Sequence, residues 1–109
     1  MPKYKQSIVF PNARGCVMGC GKYGKCSGRL EVHHIMNKSD RKKSTLYGLT
    51  APLCSNHHRV SREAVHNNAE NMNFLKAKAH IAFEEHYPGL SWLKIFGRNY
   101  RWIIDEESE

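Results

Sequence analysis

The chain has 109 residues, of which 17 are Lys or Arg and 10 are Asp or Glu, giving a net charge of +7 with its seven histidines neutral. That length fits one domain and leaves little interior to bury, so a metal staple would add useful stability. The charge points to a polyanionic partner, nucleic acid first, and the lack of a membrane-length apolar run or a signal-peptide pattern argues against a membrane or secreted protein.

Residues 1–15 read as a basic N-terminal arm, with an apolar cluster at Ile8, Val9 and Phe10 that is expected to end it in a short strand. Residues 15–28 hold three cysteines and five glycines. Glycine permits the left-handed turns that wrap amides and thiolates around a small ion, so this stretch predicts a metal knuckle. Leu30, Val32 and His34 then alternate with Arg29, Glu31 and His33, the pattern of a short strand. Residues 36–44 read as a polar, basic loop, and Tyr47, Gly48 and Leu49 as a turn. Residues 50–53 predict a second strand, with Pro52 placing it at an edge.

The chain is expected to turn helical at Ser55 or Asn56. Asn67 and Asn68 reset it, and Asn68 caps the longest helix, residues 69–87. There Met72, Leu75, Ala79, Phe83 and Tyr87 recur at the spacing of one buried face. Pro88 and Gly89 end that helix. Ser91 caps a short second helix over residues 92–96, closed by Gly97. Residues 99–104 are expected to be extended, and residues 101–109 to form a C-terminal tail with a loose acidic end.

Two chemistries follow from the cysteines and histidines. Four cysteines in a reducing compartment are more readily metal ligands than disulfides. Cys54 and His57 make a Cys-x2-His pair, while Cys16, Cys20 and Cys26 offer the other knuckle of a tetrahedral zinc site. Three cysteines plus His57 are expected, and spacing leaves Cys20 against Cys26 open. With His57 on zinc, His33, His34 and His58 remain. Neighbouring strand residues point to opposite faces, so one of His33 and His34 can bind a second metal while the other approaches a water. His58 can complete that site, and His66, eight residues on, is a further candidate ligand. Lys38, Arg41, Lys42 and Lys43 between the strands, with Arg59 and Arg62, are candidates for DNA phosphate contacts.

A cysteine knuckle, Glu31-Val32-His33-His34-Ile35, a basic segment and then residues 48–59 resemble the HNH endonuclease superfamily, in particular its small phage and prophage members related to recombination-enhancement nucleases. The likeness runs from about Cys16 to Tyr100 and includes Val65-His66-Asn67 and the motif Phe96-Gly97-Arg98-Asn99-Tyr100. The resemblance implies an α+β fold: a zinc-stapled ββα-metal domain over residues 16–100, with a longer C-terminal helix and a short second helix. It implies His33 and His58 as ligands of a catalytic Mg²⁺ or Mn²⁺, His34 as general base, and Cys54 and His57 on the structural Zn²⁺. The implied activity is metal-dependent hydrolysis of DNA, with little sequence preference and 5′-phosphate and 3′-hydroxyl ends. The implied setting is a bacterial cytoplasm, with a homodimer or a recombination partner left open. The sequence departs from the family pattern at Gly48, where the family has the Asn of its name; Asn37 or Ser44 would then have to hold the base's loop. The competing expectation is a zinc-stabilised DNA-binding module of the same fold without catalysis.

Overall fold

In the computed structural model, which describes residues 6–18, 26–60 and 64–107, two short strands pair antiparallel: β1 (Leu30–His34) and β2 (Thr50–Cys54). The register sets Leu30 against Cys54, Val32 against Pro52 and His34 against Thr50. Both strands are edges, so Pro52 costs the ladder no inner hydrogen bond. Its carbonyl instead accepts the Val17 N–H at 3.0 Å, tying the first cysteine knuckle to β2.

Among the described residues four helices complete a small α+β arrangement: α1 (Arg41–Tyr47), α2 (Ala69–His86), α3 (Trp92–Phe96) and α4 (Trp102–Glu107). The caps expected for α2 and α3 are present. Asn68 Oδ1 accepts the Asn71 N–H and Ser91 Oγ accepts the Lys94 N–H, each satisfying a first-turn donor. Leu75, Ala79 and Phe83 of the expected stripe are buried, joined by Ala77 and His80; Met72 and Tyr87 are half-buried. They pack with Ile35, Leu49, Ala51, Leu53, Trp92 and Tyr100 into one core, where Tyr47, Phe83, Tyr87 and Phe96 meet edge to face.

Four sequence expectations fail. Residues 36–44 are not a loop: a 3₁₀ turn (Lys38–Asp40) leads into α1. Helix-favouring Arg and Lys open α1, but at seven residues it is too short to display an apolar period; only Ser44 within it is fully buried. Residues 99–104 are not extended. Asn99 Oδ1 accepts the Arg101 N–H, and the chain winds into α4, which lays Ile103 and Ile104 against the core. β-branched residues there suggested a strand, but among the described residues the sheet has two strands and residues 99–104 pair with neither. The acidic stretch is likewise helical through Glu107. The N-terminal segment makes no strand over residues 6–15; Ser7 Oγ donates to Thr50 O at 2.6 Å and the Ile8 N–H to Gly48 O at 2.9 Å, docking Ile8, Val9 and Phe10 on the core. No helix among the described residues is long and apolar enough to cross a membrane.

Gly48 closes α1 in the left-handed conformation (φ 72°), and a Cβ there would stand 2.8 Å from the Gln6 carbonyl oxygen. Ser44, fully buried, fastens the segment that follows β1: its hydroxyl donates to Met36 O at 2.7 Å and accepts the Met36 N–H at 2.8 Å.

Candidate functional site

Two side-chain clusters lie on the two sides of the β2 exit. In the first, Cys16, Cys26, Cys54 and His57 bring one ligand atom each within 4.8 Å of all the others, and this cluster could hold a structural metal such as zinc. The His57 Nδ1 is 3.2 Å from Cys54 Sγ, 3.4 Å from Cys16 Sγ and 3.6 Å from Cys26 Sγ. Sulfur and nitrogen at opposite ends of a tetrahedral zinc edge stand about 3.6 Å apart, so the donor set fits. Burial pushes the Cys54 thiol up, but backbone amides, His57 among them, and the thiols of Cys16 and Cys26 outweigh it and bring it down to about 7. A thiol so placed is readily a thiolate ligand. The knuckle is held by backbone: Asn56 N–H donates to Ser27 O at 3.1 Å and Ser55 N–H to Arg29 O at 3.0 Å. Gly28 takes a positive φ there, and a Cβ on it would collide with the Ser55 side chain. Cys26 thus joins the cluster; Cys20 lies outside the described residues.

The second cluster is His33, His58 and His66, again with one nitrogen each within 4.8 Å of the others, and it too could hold a metal ion. β1 presents His33, which is 1% exposed. The single π-helical turn Asn56–Val60 presents His58 beside His57. His66 returns because the chain pairs back on that turn: Val65 N–H donates to His57 O and His66 N–H to His58 O. Asn67 Nδ2 donates to Arg59 O, extending the same pairing. The Nε2 atoms of His58 and His66 are 3.0 Å apart. That equals the edge between two nitrogens at right angles about an ion with bonds of about 2.1 Å. His33 Nε2 is buried and has no hydrogen-bond partner among the described residues. A buried imidazole nitrogen without a partner is costly unless something occupies its lone pair.

Burial, reinforced by His58, His66, His34 and Lys76, drives His33 down to about 3, so it stays neutral and able to ligate. His66 is lowered too, by burial and then by His58 and Arg59. His34 is not a member of this triad. It lines the same cavity of about 230 Å³, with Val32, His33, Asn37, Arg41, His58 and His66. Burial, and then Arg41 and His58, lower His34 as well.

One residue escaped the sequence reading. Glu31 accepts the His58 Nδ1–H at 2.8 Å and an Arg59 N–H at 2.7 Å. The His58 bond holds its carboxyl below the usual range; partial burial opposes this and Arg59 adds to it. The carboxylate fixes the His58 tautomer, leaving Nε2 as the lone pair that faces the triad. Its signal was in the strand period: Glu31 is two residues before His33, on the same face. Among the cationic candidates, Arg41 lines the histidine cavity, Lys38 and Lys42 are exposed, and Arg59 is paired to Glu31. Lys43 does not face a groove: its ammonium donates to Ile95 O at 2.8 Å and sits 3.4 Å from Asp40. Arg62 lies outside the described residues. No family model matches the chain, and neither the curated proteins nor the solved structures give a match, so its role has to be read from these two clusters.

Proposed function

We propose that the chain is a metal-dependent DNA endonuclease of the HNH type, with its two strands and the following turn as a ββα-metal finger and zinc on the cysteine cluster. The observation that carries the reading is the buried, unpartnered His33 Nε2 beside His58 and His66, in one cavity with a fourth histidine that is not part of the triad. A metal site for phosphodiester hydrolysis needs few protein ligands, open positions and a base alongside, and this donor set meets all three.

In the proposed reaction, His33, His58 and His66 hold one divalent cation. When bound, that cation supplies positive charge to the scissile phosphate and the 3′ leaving oxygen. His34 takes the proton from the attacking water, and its lowered proton affinity keeps it neutral for that step. Glu31 keeps His58 oriented. Arg41, on the cavity wall, neutralises a phosphate oxygen as charge develops. The basic surface holds the strand by its phosphates, with cations of both the 38–42 segment and the cavity rim contributing.

Incubating plasmid with the protein and Mg²⁺ or Mn²⁺ tests this. Nicked and linear products are expected, and His34→Ala should lower the rate by roughly 10²–10⁴-fold while leaving fold and zinc content unchanged. Cutting at an unchanged rate by His34→Ala would remove the base assignment. DNA binding without cutting across both metals would make the chain a zinc-stabilised binding module instead.

A further inference from the structure

The motif at residues 96–100 and the middle of α2 meet in an arrangement the catalytic reading leaves unused. Buried His80 of α2 accepts the Tyr100 N–H on Nδ1 at 3.2 Å and stacks on Trp92 at 4.6 Å between ring centroids. Trp92 Nε1–H in turn donates to Arg98 O at 2.8 Å. These bonds fix both the Tyr100 ring and the backbone that carries Arg98.

Two cations converge on that fixed ring. Lys76, one helical turn before His80, places its ammonium 5.5 Å from the ring centroid, and the Arg98 guanidinium carbon stands 5.4 Å from it. Among the described residues neither Lys76 nor Arg98 forms an ion pair. Burial lowers the Lys76 ammonium, and Arg98 and Lys38 lower it further; Asp40, at 3.4 Å from Lys43, opposes them. Lys38 is also the described non-glycine residue with a positive φ, 56°. Like charges gathered on a rigid support, with the one carboxylate that acts on them, Asp40, turned to Lys43, are what an anion site requires.

We propose that Lys76 and Arg98, held over the Tyr100 ring, form a second phosphate subsite, which takes a phosphodiester of the bound strand other than the one at the histidine triad. The subsite rests on the nucleic-acid reading above but does not need catalysis. Its ligand is the backbone phosphate, so it contributes affinity and register and no base preference.

The test measures binding of a short fluorescent DNA duplex over a salt series, on zinc-loaded protein with no other divalent metal added. Lys76→Gln and Arg98→Gln should each reduce the slope of log affinity against log salt by about 0.9 and weaken binding roughly eightfold at about 0.1 M salt. Lys76→Arg, which keeps the charge, should restore the slope. Lys78→Gln, an exposed change on the other side of α2, should leave it unaltered. Arg98 is exposed, so its variant keeps the test decisive even if Lys76→Gln fails to fold. Unchanged slopes in Lys76→Gln and Arg98→Gln, or an equal loss in Lys78→Gln, would overturn the subsite. Reduced slopes in a protein that never cuts DNA would uphold the subsite and sink the catalytic reading; normal cutting with unchanged slopes would do the reverse.

Discussion

At the scale of single residues, Glu31 is the group whose removal separates ligand from orienter. It touches no member of the triad except His58, through the ring nitrogen that does not face the other two histidines. Glu31→Gln keeps the shape and loses the charge that fixes the tautomer. The affinity for Mn²⁺ should fall roughly 10–100-fold, with zinc content unchanged, as a calorimetric titration of zinc-loaded protein would read. An unaltered Mn²⁺ affinity would leave Glu31 as a surface partner of Arg59 only. The cysteines permit an equally direct measurement. Cys26 completes the four-cornered donor set with Cys16, Cys54 and His57, which needs no further cysteine. Cys26→Ser should therefore lose most of its bound zinc in elemental analysis, and Cys20→Ser should retain close to one ion per chain.

At the scale of elements, the joins carry more of the fold than the elements themselves. His80 binds α2 to the segment before α4, with Glu84 3.4 Å from its Nε2 and Arg101 2.7 Å from the Glu84 carboxylate. Burial lowers His80, Glu84 opposes that and Arg101 adds to it. The folded chain thus binds fewer protons than the unfolded chain between the lowered value and the ordinary 6.5. Stability is full above that window and declines as pH falls through it. The Tm of His80→Gln should fall less than that of the native chain between neutral pH and about pH 5. His33, His34 and His66 act with the same sign but stand in both proteins, so the difference isolates His80. Parallel Tm curves would show that His80 does not carry this join. The same contrast between element and join governs what was legible in the sequence. Strand alternation located β1, and Asn68 and Ser91 located the starts of α2 and α3. The cysteine and histidine spacings offered every member of both clusters as a candidate, with Cys26 left open against Cys20 and His66 given only as a further candidate. What escaped was set by partners distant in sequence: α1 is fixed by Ser44 gripping Met36 and by Tyr47 among the α2 aromatics, and α4 by a core face that no local pattern announces. Glu31 was missed because its partner lies 27 residues away.

At the scale of the whole molecule, the two clusters share one stretch of backbone. His57 turns its ring toward the cysteines and His58, the next residue, turns toward the histidine triad. Cys54 closes β2 opposite Leu30, on the strand that carries Glu31 and His33. The first knuckle reaches the same place through Val17 on Pro52 and Ser27 on Asn56. A zinc ion on the cysteines would therefore set the direction from which His58 enters its cavity. Structural zinc orders the segments that ligate it, here the knuckle and the turn after β2, while the core around Phe83 and Trp92 is built from other residues. Loss of zinc should consequently remove Mn²⁺ binding and DNA cutting together, and well before the core around Phe83 and Trp92 has melted. Circular dichroism, Mn²⁺ affinity and nicking rate followed through a chelator titration would measure this. Mn²⁺ affinity should fall with the zinc content, while most of the helical signal from α2 persists; restoring zinc should recover both affinity and cutting. A zinc-free protein with native Mn²⁺ affinity would show that the two centres are independent, and that β1 alone, through His33 and Glu31, suffices to form the triad.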